Sequence, residues 1–339
     1  MTRKLPVALA ALLLAFGFAS ATFLAVRQPL SLGDYLAVWG LKARAIHASG
    51  ELSAVFRVDP EGAFSHPEYP PLWPLVLAGT AKLLGRYDEL LLTLLRPLLL
   101  ACAAALTFAR TQAPLPWRLL AASALTLLPY FQTAAYAGYA EALLVVLVLA
   151  ALLLLESPSP TPFTPAAAGI LLALASLAKQ EGLVVLLVAA GVLVAAGRRR
   201  DAAIAGGLGL GLGLIPWTLY RAFHGVPGIA DFSLAAFHPS KPLRALATLG
   251  EVALLPALPW LLGAALLLAL APATRRARRP LLLGAGAFAT LLVLSFSFAQ
   301  PDVAWLVAWT WDRLALLPVA AFLPSLFEAA AEQLATREE

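Results

Sequence analysis

The sequence predicts an all-α polytopic membrane protein with about ten transmembrane helices, and three observations carry that prediction. Hydrophobic residues make up 61% of the 339 residues and charged residues only 13%, against roughly 25% charged in a soluble domain. The apolar residues are gathered into runs close to the roughly 20 residues that a spanning helix takes. The arginines collect between those runs, at Arg198-Arg199-Arg200 and at Arg275, Arg276, Arg278 and Arg279. The net charge of +5 therefore reports orientation in a bilayer and not affinity for nucleic acid. A soluble enzyme, a nucleic-acid-binding domain and a single-pass anchor are excluded. Cys102 is the single cysteine, so no intramolecular disulfide forms. With His47, His66, His224 and His238 scattered along the chain, nothing has the spacing of a zinc site.

Residues 5–26 follow Arg3 and Lys4 and form the first span. Ala19-Ser20-Ala21 has the look of a signal-peptide cleavage site, but the run is longer than a usual signal-peptide core and precedes many others. It is expected to be retained, with the amino terminus in the cytoplasm. Further spans are expected near 89–109, 119–135, 139–155, 164–179, 182–197, 202–220, 246–270, 280–299 and 313–331. The segment 71–84 is apolar but short, opens with prolines and carries Lys82. As a span it would flip every later loop and put both arginine clusters outside, against the positive-inside rule. It is expected instead to lie along the outer leaflet as an amphipathic helix, which leaves both termini cytoplasmic.

The same layout places most of the nineteen acidic residues on the outer side, where any chemistry is expected. No strict internal repeat is visible, so the inverted-repeat plan of many transporters has no direct support. The Gly-rich stretch 205–214 lies in a span and reads as close helix packing. Residues 156–165 form a Pro-rich cytoplasmic connector.

The first outer loop, residues 27–88, is long for a compact chain, which marks it as functional. Its segment GDYLAVWGLKARAIHASGEL, residues 33–52, is expected to form a surface helix whose apolar face is Leu36, Trp39, Gly40, Ala43 and Ile46. Asp34 stands just after the first span, where a carboxylate at the lipid boundary can gain basicity. It is equally a residue type that caps a helix over Tyr35–His47. Trp73, Trp117, Trp260 and Trp305 are expected to be interface anchors, and Arg96 faces either the bundle or a lipid headgroup.

Five segments, in order, resemble the GT-C glycosyltransferases, the polytopic class that uses polyprenyl-phosphate sugars and includes protein O-mannosyltransferases and bacterial aminoarabinose transferases. They are GDYLAVWGLKARA (33–45), FSHPEYPPLWPLVLAGTAKLLG (64–85), AAYAGYAEALL (134–144), SLAKQEGLVV (176–185) and WTWDRLALLPVA (309–320). The resemblance implies that Asp34 is the general base. The family often has a second acidic residue beside the first, where this chain has Tyr35, so Glu68 and Glu141 are the carboxylates left to assist. It also implies a polyprenyl-phosphate-linked donor, an acceptor that is a lipid, a glycan or a protein, and no nucleic acid. The reaction is expected on the extracytoplasmic face of the cytoplasmic membrane. No cofactor is certain; some relatives use a divalent metal ion and others none.

A departing polyprenyl phosphate needs fixed cations near the leaflet boundary. Lys179, with Glu181 two residues on, and Arg313, expected to open the last span beside Asp312, are the first candidates, against snorkelling to the headgroups or a local Asp312-Arg313 pair. Lys42 and Arg221 are the next cations, and His66 and Tyr69 either hold a sugar or anchor the loop. The rival reading is a polytopic transporter or lipid flippase, which would gather polar residues near the midplane instead of at one face.

Overall fold

The structure, a computed structural model, describes residues 4–27, 33–59, 65–129, 131–132, 138–157, 160–226, 234–254, 291, 295–299 and 302–335. Most of the expected spans 280–299 and 246–270, Trp260 and the arginine cluster at 275–279 lie outside them, as does the side chain of Asp312. The regular elements among the described residues are all helical. Among the described residues, four helices, Val7–Arg27, Glu89–Arg110, Arg199–Phe223 and Arg313–Ala335, are long and apolar enough to cross a membrane, and five shorter apolar helices accompany them. The chain is an all-α, multi-pass membrane protein.

The first helix, α1, spans Lys4–Arg27. A π-helical turn, Tyr35–Trp39, then leads into α2, Gly40–Ser49. The left-handed Gly50 ends α2 at φ 74°, a conformation that costs glycine little. The expected juxtamembrane helix is α3, Leu72–Leu83. Asp88 starts α4, Glu89–Thr93, by accepting the amide protons of Leu90 and Leu91 at 3.0 and 3.1 Å, and α5 continues over Leu95–Arg110.

Helix α6 runs over Leu115–Leu127, short of the expected 135. Leu128 is extended (ψ 118°) because it precedes Pro129, whose ring disfavours the helical conformation one residue before it. Next come α7, Glu141–Leu155, α8, Thr164–Ala178, and α9, Glu181–Ala195. Helix α10, Arg199–Gly209, passes through a π turn at 210–214 into α11, Ile215–Phe223. The last two described helices are α12, Lys241–Leu249, and α13, Val303–Ala335. Helix α13 begins ten residues before the expected 313, because the Asp302 carboxylate accepts the Trp305 amide proton at 3.1 Å and caps it there. Arg313 therefore lies inside a helix, at the point where its membrane-crossing part, Arg313–Ala335, begins.

Small residues let the helices approach. A Cβ on Gly169 would fall 2.8 Å from the Ala205 carbonyl oxygen, and one on Gly213 2.9 Å from that of Ala173. The Gly-rich stretch does serve close packing, most tightly at Ala205, Gly209 and Gly213, while a Cβ on Gly207 or Gly211 would meet nothing within 4 Å among the described residues. Between α8 and α9 the chain reverses within two residues. Gly182 fits there because a Cβ would stand 2.2 Å from Ala175.

The main core joins the first loop to the bundle, with Trp39, Trp73 and Leu77 packed among Leu100, Leu125 and Leu144. Trp73 is not an interface anchor: it is 1% exposed and its indole N–H donates to the Gly138 carbonyl at 2.9 Å. The buried face of the 35–49 segment holds Trp39, Gly40, Ala43 and Ile46 as expected, but Leu36 is 47% exposed and Lys42, expected away from that face, is 1% exposed. Arg96 faces the bundle, donating to the Ala25 carbonyl and the Thr93 hydroxyl at 3.0 and 2.8 Å.

Helix α7 carries a polar layer at each end, about 22 Å apart. Glu141 opens it and meets Lys179 and Arg313. Glu156 follows its end and takes two hydrogen bonds from Arg110, at 3.2 and 2.9 Å. The first group lies wholly among residues that the charge pattern assigns to one side of the membrane, and the second among those it assigns to the other.

Candidate active site

Five of the expected residues form one ionic chain. The Arg313 guanidinium donates to the Asp34 carboxylate at 2.5 Å and its Nε lies 3.7 Å from Glu141. The Lys179 ammonium reaches Glu141 at 2.8 Å and Glu181 at 2.9 Å. Each residue is placed by a helix end or turn. Lys179 follows α8 in extended conformation, while Glu141 and Glu181 each open a helix, where a carboxylate suits the positive end of the dipole. Asp34 immediately precedes the π turn and makes no capping hydrogen bond; its side chain turns to Arg313, which settles the cap reading against it. Arg313 also lies over the Tyr139 ring, 5.0 Å from its centroid.

Exposure separates the carboxylates. The Asp34 side chain is 39% exposed and that of Glu141 4%. One Glu141 oxygen, Oε2, is buried without a hydrogen-bond partner among the described residues. Two cations and three carboxylates leave this chain at −1 (2 − 3).

Glu68 does not join it. That carboxylate is 4% exposed and meets the His66 ring at 3.1 Å, in a second cluster with Lys42, Tyr69, Trp217 and Arg221. The Lys42 ammonium donates to the His66 carbonyl at 2.5 Å and lies 5.8 Å from the Tyr69 centroid. His66, at φ 48°, is in the left-handed region, which a non-glycine residue rarely adopts. Its ring stacks on Tyr69 at 4.5 Å, and Tyr69 on Trp39 at 5.7 Å. The Glu68 carbonyl accepts from Trp217 at 3.2 Å and from Arg221 at 3.4 Å, which ties the loop to α11. With Lys42 protonated, Lys42 and Arg221 against Glu68 give +1 (2 − 1). Burial pushes the Lys42 ammonium down to about 7, against the pull of Glu68. Burial alone would raise the Glu68 carboxyl, but the His66 hydrogen bond, one from the backbone and the Lys42 charge bring it below its usual range.

The ten candidate residues thus resolve into two groups, Asp34, Glu141, Lys179, Glu181 and Arg313 in one and Lys42, His66, Glu68, Tyr69 and Arg221 in the other. Asp34 and Lys42 stand on the same helical stretch, about 12 Å apart along its axis. Three residues that the sequence did not single out belong here: Tyr139 under Arg313, Trp217 on Glu68, and Tyr35, whose hydroxyl meets that of Tyr87 at 3.0 Å. Tyr139 had a signal, two residues before Glu141 and inside a quoted segment. Among the described residues, no group of three His, Cys, Asp or Glu side chains is placed to hold a metal ion.

The fold and site define a polytopic helical membrane protein with a polar centre between its first loop and its bundle. No protein-family model and no curated protein matches the chain. Among solved structures, the crystal structure of ArnT from Cupriavidus metallidurans bound to undecaprenyl phosphate matches with a TM-score of 0.61 at 16% identity. The match covers 94% of this chain and 59% of that one. The chain therefore has the GT-C fold that its sequence resembles, and it spans 59% of the length of ArnT.

Proposed function

We propose that this protein is a membrane glycosyltransferase that moves a sugar from a polyprenyl-phosphate donor to a hydroxyl acceptor on the extracytoplasmic face of the cytoplasmic membrane. The single observation that carries the reading is the junction of Asp34, on the first loop, with Arg313, on the last helix. It sets a partly exposed carboxylate against a fixed cation on a fold shared with a protein seen bound to undecaprenyl phosphate.

The chemistry needs a base for the acceptor and a cation for the leaving group. Asp34 takes the acceptor hydroxyl proton while that oxygen attacks the anomeric carbon. The bond from that carbon to the phosphate oxygen breaks, its electron pair stays on the phosphate, and the configuration inverts. Arg313 meets the charge that grows on the phosphate, and such stabilisation is realised in the transition state. A phosphate arriving at Arg313 competes with Asp34 for the guanidinium and so frees the carboxylate for the proton. Lys179, already shared by Glu141 and Glu181, stands behind Arg313. Glu141, buried and bonded to Lys179 with Arg313 close by, is a positioning residue and not a second base. Lys42 and Arg221 carry the surplus positive charge and receive the rest of the donor head, with His66 and Tyr69 beside its sugar and Glu68 fixing that group in place.

The rival reading, a transporter or lipid flippase, would gather its polar groups near the bundle midplane. Here they meet at one end of α7. The deciding experiment incubates the purified protein with a panel of polyprenyl-phosphate sugars and follows release of free polyprenyl phosphate. Release with at least one donor is expected. No release from any donor, with translocation of a labelled lipid in vesicles, would establish the rival.

A further inference from the structure

The helix that carries Asp34 is not uniform. It runs without a break from residue 33 to Ser49, but over Tyr35–Trp39 it is a π turn, closed by the Gly40 amide donating to the Tyr35 carbonyl five residues back. Such a turn takes up one residue more than an α turn, and single π turns recur at functional sites. Gly40 admits it: a Cβ there would lie 2.8 Å from the Tyr35 carbonyl oxygen and 2.6 Å from the Tyr35 ring. Tyr87 pins both ends. Its hydroxyl lies 3.0 Å from that of Tyr35, which is fully buried, and donates to the Gly40 carbonyl at 3.4 Å.

The extra residue decides how the two ionic groups face each other. Asp34 and Lys42 are eight positions apart. At 3.6 residues per turn, eight α-helical steps of about 100° would set their side chains about 80° apart around the axis. With one step absorbed by the π turn, the same stretch advances as about seven steps, about 700°, which leaves the two within about 20° of each other. Asp34 then meets Arg313 while Lys42 donates to the His66 carbonyl. A uniform α-helix that kept Lys42 in place would turn Asp34 away from Arg313.

We infer that the π turn aims the proposed base: it keeps Asp34 on the face of Lys42, so that one donor lies with its phosphate at Arg313 and its sugar at the Lys42 group. Gly40 and Tyr87 are the positioning residues and act through Asp34. The inference rests on the glycosyltransferase reading of the Asp34 site. It makes the angular register of Asp34 decisive, and not the bulge itself. Deleting one residue of the turn leaves seven α-helical steps, which preserve both the angle and the rise between Asp34 and Lys42. Leu36, 47% exposed, is the residue whose removal disturbs the core least.

The test takes two readouts from the full chain in detergent micelles. One is release of polyprenyl phosphate from a productive donor. The other is the coupling of Asp34 with Arg313 in a double-mutant cycle of thermal stability, built from Asp34→Ala and Arg313→Ala. Gly40→Ala opposes the turn and should lower release about tenfold or more, the scale of a misplaced catalytic group. It should also abolish the coupling while binding of the polyprenyl-phosphate sugar stays within a fewfold. Deletion of Leu36 should restore release and coupling to the Gly40→Ala variant and, made alone, leave both in place. If Gly40→Ala does not fold, Tyr87→Phe keeps the ring, loses the pin and should lower release about threefold or more, the scale of one hydrogen bond, again relieved by the deletion. Release and coupling unmoved by both substitutions overturn the inference, as does a loss that deletion of Leu36 fails to relieve. Coupling lost and regained, with no release from the unaltered protein, would overturn the proposed function and leave the turn as what joins Asp34 to Arg313. Release from the unaltered protein, with coupling and rate unmoved by the substitutions, would do the reverse.

Discussion

Asp34 and Arg313 stand 279 positions apart in the chain and share a 2.5 Å charge-assisted hydrogen bond. The contact ties the first loop to the last helix. In the proposed reaction a donor phosphate takes the place of Asp34 at this guanidinium, and a charge-assisted contact of that kind is worth about 1.5 to 3 kcal/mol. Arg313→Ala should accordingly weaken donor binding by about 10 to 150-fold and slow turnover. Arg313→Lys should restore only part, because an ammonium is a point charge and not a fork. Full rescue by Lys in a donor titration would mean that shape plays no role.

Lys42 gives the site a pH dependence with a definite sign. Its ammonium is brought down to about 7 by burial, so its charge is present below that pH and lost as the pH rises through it. Donor affinity should fall across about pH 6 to 8, since the titration spreads over about a unit on either side. The probe is a polyprenyl-phosphate sugar, whose phosphodiester has no proton to lose in this range. Lys42→Arg keeps its charge throughout and should flatten the profile. A flat profile in the unaltered protein would remove Lys42 from the donor site.

Gly182 tests the packing that places Lys179 and Glu181. A Cβ there would meet the Ala175 backbone at 2.2 Å, which forces the α8 and α9 hairpin apart. Overpacking of this kind costs about 1 to 3 kcal/mol. Gly182→Ala should lower the melting temperature, and an unchanged value would show that the hairpin yields without penalty.

Orientation is open to direct labelling. In a Cys102→Ala background, cysteines at the exposed Ser49 and Ser240 should react with an impermeant thiol reagent added to intact cells. A cysteine at the exposed Arg200 should react only after the membrane is opened. Labelling of position 200 in intact cells would invert the layout and place the site in the cytoplasm.

Much of this was legible in the sequence where a single physical signal dominates. The helix starts at Glu141 and Thr164 and the reversal at Lys179 follow from apolar runs broken by polar residues. Apolarity also hid two boundaries: Pro129 stops α6 inside an apolar run, and the Asp302 cap extends α13 back through one. The grouping of the charges was only half legible. Position along the chain put Asp34, Glu68, Glu141, Lys179 and Arg313 on one side of the membrane, but distance across the bundle decides that Glu68 pairs with His66 and Arg313 with Asp34. The burial of Lys42 fits the helical spacing of Tyr35, Trp39 and Ile46, but its charge pointed to solvent, since a lysine is buried only where a polar partner such as the His66 carbonyl meets it.

The central claim is that Asp34 is the base of a sugar transfer, and one substitution addresses it most directly. Asn keeps the shape of Asp and its ability to accept a hydrogen bond but has no basicity. With purified protein, a productive donor and its acceptor, Asp34→Asn should lower the release of polyprenyl phosphate by at least about a hundredfold, the scale of a lost general base. Donor binding should stay within a fewfold of the unaltered protein. Release at the unaltered rate, with only the melting temperature reduced, would contradict the account and leave the Asp34–Arg313 bond as a structural tie.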